Sequence, residues 1–488
     1  MLHFCCFIME YPSKTHLILV GLSILFIAIC TIWAKIFPKH LFYSRKTLHI
    51  GCISLLAIST LSLKQDEIFY FICLLGIIEL LLFVAVFKGF FYSEGRRSWG
   101  IVYFLPAVII LLLLFPNDRL LVFQSVLILA LADGFSAFFG RMFENYLEKS
   151  SFKILQKLNL IQWGSDKKTV FGSLIGFFLI YIICYLHFPF NRDAYFFVSC
   201  FIIALFVTVS EILGSKGNDN FFIPLVSFVL MKVFIQLDVL RSFFDFNDAN
   251  NWYCLLLFFI AAFGFVNMKW LSISGVVFAG LIALFLLLAH WSLLPIIAFF
   301  ILGTLAGKLN KNVESDKKHS KPRDAFQVLA NGGVTLGLSV LFLLYKVWYL
   351  EVLMLISISV ACADTLSSEI GMRFGKRTFG ILNWKYLPKG VSGGVSLVGF
   401  LGAIIGSVAI GLFNLNYFWV IVIFGFIGSI TDSILGMLFQ AKYKTDGQIT
   451  DIEGGDLVGG YHFVTNDMVN ILSNIIVVIM CWLFVFIP

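Results

Sequence analysis

Two sets of ionisable and glycine residues interrupt an otherwise apolar chain, and each has the make-up of a phosphate-handling site. The first set comprises Arg45, Lys46 and His49, then Asp133, then Arg141, Lys167 and Lys168, then Glu211, and finally Asp219 with Asn220. Lysine and arginine suit phosphate oxygens, while one or two carboxylates can hold a hydrated magnesium ion that a nucleotide also binds. Gly134, Gly140 and Gly172 would let backbone N–H groups come close to phosphates. Taken singly, Arg45 and Lys46 read as anchors of membrane topology, His49 as a packing histidine, and Lys167 and Lys168 as a solvated loop. Asp133 is different, because it breaks the apolar run from Leu127 to Phe139 with no cation beside it, and Glu211 has the same character. Ionisable groups at membrane depth need a reason, and together on one face these residues read as a functional site.

The second set begins with Arg323 and Asp324, ahead of Gln327, Asn331, Gly332 and Gly333. Asp364 and Glu369 follow, then Lys389 with Gly393 and Gly394, then Asp432 deep in an apolar stretch, and last Asn466, Asp467 and Asn470. Asp364, Glu369, Asp432 and Asp467 are the carboxylate candidates, and Arg323 and Lys389 the phosphate cations. The glycines fit helix packing through small residues as well as they fit a phosphate cradle, and Asn331 and Asn470 read first as interhelical hydrogen-bonding groups. No Walker-type loop is present: Gly371 to Thr378 is one residue short between its glycines and has Arg377 where serine or threonine should follow the lysine.

The elements that must position these residues are membrane helices. Of 488 residues, 60% are hydrophobic and 13% charged, a balance no soluble core could absorb. Within about 30 Å of hydrocarbon the backbone can satisfy itself only as helices or a closed barrel, and the apolar runs are too long and continuous for barrel strands. The expected fold is therefore all-α, with about sixteen spans in two eight-helix halves. They fall near 16–34, 48–63, 68–87, 100–115, 120–138, 170–188, 195–213, 221–237, 252–266, 271–289, 292–307, 326–345, 348–363, 391–413, 417–438 and 468–487. With both termini outside, the alternate loops starting at 35, 88, 139, 214, 267, 308, 364 and 439 carry 28 lysines and arginines against six in the outside segments. That asymmetry marks the richer side as cytoplasmic, in a bacterial-type membrane, and places both sets of candidate residues there.

The ten cysteines lie mostly in apolar segments with no CxxC pair, which fits neither a disulfide framework nor a zinc site. A net charge of +7 comes from these short loops, so no nucleic-acid partner is expected. The run from His16 to Ala34 fits a first span better than a removed signal peptide, and Met9 is an alternative start to Met1. The polar stretch from Val239 to Asn251 divides the chain into domains at 1–240 and 252–488, whose short shared features hint at duplication.

The first set also carries a resemblance. Arg45-Lys46-Thr47-Leu48-His49-Ile50, the segment from Leu131 to Arg141, Lys167-Lys168-Thr169-Val170-Phe171-Gly172-Ser173, and Glu211 with Asn218-Asp219-Asn220 and Pro224 resemble four ordered blocks of the phytol kinase and dolichol kinase family. Ala132 stands where that family has glycine. The second set, over roughly 268–480, resembles the membrane family that includes plant phytyl-phosphate kinase. The two resemblances imply stepwise phosphorylation of an isoprenoid alcohol of the phytol, geranylgeraniol or farnesol type to its monophosphate and then its diphosphate. The implied donor is a nucleoside triphosphate, CTP, with Mg2+, and the partners are the lipid-soluble alcohol and its phosphate. On that reading Asp133 with Glu211 or Asp219 holds magnesium, Arg45, Lys167 and Lys168 neutralise phosphates, and His49 or Asp219 takes or orients the alcohol proton. The alternatives are a cytidylyltransferase forming a CDP-linked lipid, and a lipid or isoprenoid transporter.

Overall fold

The computed structural model describes residues 13–37, 40–64, 67–68, 70–72, 100–149, 159–163, 166–187, 192–214, 217–243, 260, 262–289, 292–308, 322–445, 448–451 and 455–487. These residues form two compact units, divided between Ser242 and Phe243. Eight helices are long and apolar enough to cross a membrane, and five shorter apolar helices accompany them. The chain is a multi-pass membrane protein built almost wholly from helices. The spans expected at 68–87 and 252–266 lie largely outside the described residues.

The first unit contains α1 (Lys14–Ile36), α2 (Leu41–Ser62), α3 (Gly100–Leu114) and α4 (Arg119–Glu148). A short hairpin of β1 (Leu160–Trp163) and β2 (Asp166–Thr169) leads into α5 (Val170–His187), followed by α6 (Ala194–Leu213) and α7 (Asp219–Gln236). Helix α4 is the hub, in contact with α2, α5 and α7. Its buried face, with Val122, Val126, Leu129 and Ala130, sets the core, whereas α1 turns Leu17, Ile18, Ile29 and Ile32 outward, as lipid contact allows.

Two expected spans end or begin elsewhere. The span expected at 120–138 runs on to Glu148: α4 continues for fifteen residues beyond Asp133, after a π-helical turn over Leu129–Asp133. Thirty residues at about 1.5 Å each exceed the hydrocarbon thickness, so the last turns of α4 project past it and carry Arg141 with them. Likewise α2 begins at Leu41, which brings Arg45 and Lys46 into its first turns.

The second unit contains α8 (Ile273–Leu288), α9 (Leu294–Lys308), α10 (Ala325–Tyr345), α11 (Tyr349–Phe374), α12 (Leu397–Gly411), α13 (Phe418–Phe439) and α14 (Asn466–Cys481). Helix α11 is central and touches α9, α10, α12, α13 and α14. Fifteen of its residues are buried, among them Met354, Ile356 and Cys362. Among the described residues, strands occur only in the connections. β3 (Phe379–Gly380) pairs with β4 (Gly394–Val395), and β5 (Lys442–Thr445) lies between β6 (Gln448–Thr450) and β7 (Asp456–Gly459), all antiparallel. Side-chain caps start several helices; Ser272, Asp324, Ser396 and Thr465 each accept from a backbone N–H three residues on.

Helix α12 packs closely on α11 through small residues. A methyl group at Gly406 would lie 2.8 Å from the Cys362 carbonyl oxygen and 3.0 Å from Ala363 Cα, so only glycine allows this approach. Gly406→Val should therefore destabilise the second unit by about 1–3 kcal/mol through overpacking. Thermal unfolding in detergent measures this, and an unchanged midpoint would contradict the packing.

Candidate functional site

In the first unit, the sequence-predicted cations and carboxylates meet. The π-helical turn ends on Asp133, and extra residues in a helical turn re-aim side chains, a device common at functional sites. Asp133, almost fully buried, receives Lys46 Nζ at 3.0 Å and His49 Nε2 at 3.2 Å on the same oxygen, Oδ2. Lys46 and His49 are three residues apart on α2 and so share one helix face. His49 Nε2 also lies 3.4 Å from the Leu129 carbonyl oxygen. Both neighbours accept hydrogen bonds, which assigns the hydrogen to Nε2.

Lys168 approaches from the hairpin. Its ammonium donates to Glu211 Oε1 at 2.7 Å and to Asp219 Oδ2 at 3.0 Å, tying the end of α6 to the start of α7. Asn159 anchors the base of the hairpin, accepting from the Val170 N–H through its carbonyl at 2.9 Å and from the Phe171 N–H through Oδ1 at 3.1 Å. Burial would push the Lys168 ammonium down, but the Glu211 and Asp219 carboxylates outweigh it and hold Lys168 above the usual lysine range. The two clusters act on one another, since the charge of Asp133 is felt at both Lys168 and Glu211.

The other predicted residues fall around this centre or away from it. Arg45 precedes Lys46 on α2, and the Asn220 N–H donates to Asp219 Oδ1 at 3.1 Å. Lys167 faces Gln162 in the hairpin register, and its side chain lies outside the described residues. Arg141 is exposed on the projecting end of α4, near Glu144 at 4.0 Å, and does not join the cluster. Gly172 is a packing residue: a methyl there would sit 2.5 Å from the Ser136 carbonyl oxygen, so α5 could not close on α4.

In the second unit, Asp364 of α11 and Asp432 of α13 are near enough for their charges to interact. Asp364 lies within α11, ten residues before its end, so it too is inside a helix instead of terminating one. Ser473 Oγ donates to Asp432 Oδ2 at 3.1 Å. With its nitrogen turned toward Asp432, the Asn470 amide donates to Oδ2 at 3.1 Å and to the Asn466 carbonyl oxygen at 3.0 Å. Glu369 is buried and interacts electrostatically with Arg323, whose guanidinium stands over the Phe300 ring at 5.6 Å. The Arg323 backbone is fixed by Trp270 and Ser272, at 3.2 and 3.0 Å.

Asn331 bonds within its own helix, to the Gln327 carbonyl oxygen at 2.9 Å. Lys389 is exposed on the connection after α11, and Asp467 is half-buried in the first turn of α14. Gly393 has φ +82° and backs onto Met437, where a methyl would meet Cα at 2.7 Å. Gly394 pairs in β4, so both glycines serve packing.

Sequence reasoning missed Ser136, Thr208 and Ser473. Each lies three residues from a predicted residue (Asp133, Glu211 and Asn470), a helical spacing that was available as a signal. It also missed Asp451, which accepts from the Ser392 N–H and side chain and from Gln440 Nε2 at 3.0 Å. Only the folded connection brings Asp451 there.

Among the described residues, no three His, Cys, Asp or Glu side chains converge as a metal cluster. The carboxylates work in twos, Glu211 with Asp219 and Asp364 with Asp432. Two carboxylates with water and nucleotide oxygens suit magnesium, so the donor chemistry fits that ion.

Residues 255–478 match the family model described as Integral membrane protein DUF92. The chain is also 31% identical over 157 residues to an uncharacterized membrane protein of Methanocaldococcus jannaschii, a match covering 31% of this chain and 66% of that protein. It is 28% identical over 225 residues to Protein VTE6, chloroplastic, of Arabidopsis thaliana, covering 42% of this chain and 62% of that protein. The chain thus spans a little under two thirds of the length of these relatives. No solved structure matches it.

Removing Lys168 leaves two buried carboxylates without their cation. Lys168→Met should cost about 3–5 kcal/mol of stability, the range for breaking a buried pair. A lysine whose folded value is raised stabilises fully below the unfolded value of about 10.4 and loses that effect only as pH rises through the folded value. The gap in melting temperature between wild type and Lys168→Met should therefore persist between about pH 9 and pH 10, where the carboxylates left behind are ionised and Lys168 is still charged. A gap that closes within that window would contradict the geometry.

Proposed function

We propose that the protein phosphorylates an isoprenoid alcohol in two steps, the first unit forming the monophosphate and the second the diphosphate. The observation that carries the first step is the meeting of Lys46, His49, Asp133, Lys168, Glu211 and Asp219 at one end of the helices of one unit. Phosphoryl transfer needs positioning and charge neutralisation more than covalent chemistry, and this mixture supplies both. The second step is supported by the match of residues 255–478, by the similarity to the chloroplast protein VTE6, and by the resemblance to phytyl-phosphate kinase.

In the first step the alcohol oxygen forms a bond to the terminal phosphorus of CTP, the bond from that phosphorus to the bridging oxygen breaks, and CDP leaves. Glu211 takes the alcohol proton. Asp133 Oδ2 is already held by two donors, whereas Glu211 has one, Lys168. Arg45, Lys46, Lys167 and Lys168 neutralise the nucleotide phosphates, Asn220 lines their approach, and His49 fixes Asp133 through Nε2–H. Asp219, beside Glu211 on Lys168, would hold Mg2+ together with nucleotide oxygens, and the ion when bound supplies counter-charge to the phosphate oxygens. When the nucleotide arrives, the lysines exchange carboxylates for phosphates.

In the second step the acceptor is already ionised and needs no general base. A phosphate oxygen attacks the terminal phosphorus and CDP again leaves. Asp364 and Asp432, the pair that the fold brings together, would hold Mg2+, and Arg323 and Lys389 are the cations on the phosphates. Both sites face the cytoplasm on this reading, in keeping with the lysine and arginine asymmetry of the loops.

Purified full-length protein with CTP, Mg2+ and geranylgeraniol, followed by mass spectrometry, is the direct test. We expect monophosphate, diphosphate and CDP. Asp133→Asn should lower the first product at least about 100-fold and leave phosphorylation of added geranylgeranyl monophosphate intact, whereas Asp364→Asn should block only the second product. Release of pyrophosphate instead of CDP would establish a cytidylyltransferase, and no product with any nucleotide would end the kinase reading.

A further inference from the structure

Beside the first cluster lies a small cavity among α4, α5, α6 and α7, with room for about one water-sized group. Its polar walls are Asp133, Ser136, Thr208 and Glu211, and its apolar walls include Ile180 and Val207. No lysine, arginine or histidine lines it. Lys46 and His49 reach Asp133, and Lys168 reaches Glu211, without entering it.

Thr208 stands out within this cavity. Many helical serines and threonines in the molecule return their hydroxyls to a carbonyl of the preceding turn: Thr31 to Ile27, Ser125 to Leu121, Ser227 to Ile223, Thr304 to Phe300 and Thr431 to Ile427. Thr208 Oγ1 does not. It is 8% exposed as a residue and has no hydrogen-bond partner. Ser199 of the same helix also has a buried hydroxyl without a partner, but it does not line the cavity, so Thr208 is the unpaired hydroxyl that a polar group of another molecule could reach there.

We infer that this cavity receives the hydroxyl end of the acceptor alcohol, with Thr208 as a hydrogen-bonding and positioning residue. The inference rests on the kinase reading of the same site and deepens it. Two carboxylates with no cation in the wall exclude a phosphate, so the nucleotide must lie on the lysine side and the neutral acceptor on the cavity side. The cavity holds the hydroxyl alone, and Glu211 stands beside that hydroxyl, whose proton it takes. Ser136 is engaged already, donating to the Asp133 carbonyl oxygen at 3.1 Å, which leaves Thr208 as the hydroxyl available to the ligand.

The test combines kinetics with labelling that does not depend on turnover. In full-length protein, Thr208→Val keeps the side-chain shape and should raise KM for geranylgeraniol about tenfold, with KM for CTP unchanged and phosphorylation of added geranylgeranyl monophosphate intact. Thr208→Ser should restore the KM. Gly176→Ala narrows the cavity without strain, because the added methyl meets Ser136 Cβ at 3.4 Å, and it should also raise the alcohol KM alone. In parallel, geranylgeraniol bearing a diazirine next to its hydroxyl-bearing carbon should label the α6 peptide that contains Val207 and Thr208, and excess geranylgeraniol should compete. Absence of that label would overturn the inference and leave the cavity as the seat of a structural water. Competed labelling without any phosphorylated product would sustain the cavity and remove the kinase reading. An unchanged alcohol KM in Thr208→Val would overturn the role given to Thr208.

Discussion

Charge held at membrane depth must be neutralised, and in the first unit this is done by sharing. One ammonium, on Lys168, serves two carboxylates from different helices, and one carboxylate oxygen, on Asp133, serves both Lys46 and His49. These contacts draw α2, α4, α6, α7 and the hairpin before α5 to a single point. The arrangement of the helices at that end therefore depends on electrostatics as well as on packing. Such a centre is balanced but not inert. Each cation has a carboxylate that a phosphate could replace, and each carboxylate so released can take a metal ion.

The helices were legible in the sequence because hydrocarbon imposes a length and a composition that few other folds share. Fourteen of the expected spans coincide with helices of the described residues, although their ends shift. Those shifts have a physical origin: α4 and α11 continue past the apolar layer on polar turns, so hydropathy alone stops too early. The short strands were not legible, because they are two to four residues long and lie in charged connections without a strand pattern.

Much of the site was legible for a related reason. An aspartate such as Asp133 or Asp432 inside an apolar run is conspicuous, and so is a glutamate such as Glu211. What the sequence could not supply was the pairing. Lys46 and Lys168 look alike as loop cations, yet they serve different carboxylates 87 and 43 residues away. Nor does a sequence separate a glycine that admits a phosphate from one that admits a neighbouring helix. Gly172 and Gly393 are of the second kind, a distinction made only by what lies within 3 Å of the missing methyl. Uncharged partners such as Thr208 and Ser473 escape notice because a hydroxyl in an apolar helix is ordinary until its hydrogen bond is traced.

The two units differ in how their charge is balanced, and the difference bears on what each can accept. In the first, every carboxylate of the cluster has a lysine against it. In the second, the groups that hydrogen-bond Asp432 are the hydroxyl of Ser473 and the amide of Asn470, both neutral, while Asp364 adds a second negative charge. A neutral alcohol can approach a balanced centre unaided. A monophosphate approaching two carboxylates is repelled unless a cation stands between them. On the proposed two-step reading, a divalent cation would have to enter the second unit before or together with the acceptor, while the first would have no such requirement for the alcohol. On that proposal an order of binding would follow from charge alone, and the neutral surroundings of Asp432 are the feature that would make the second site depend on a cation.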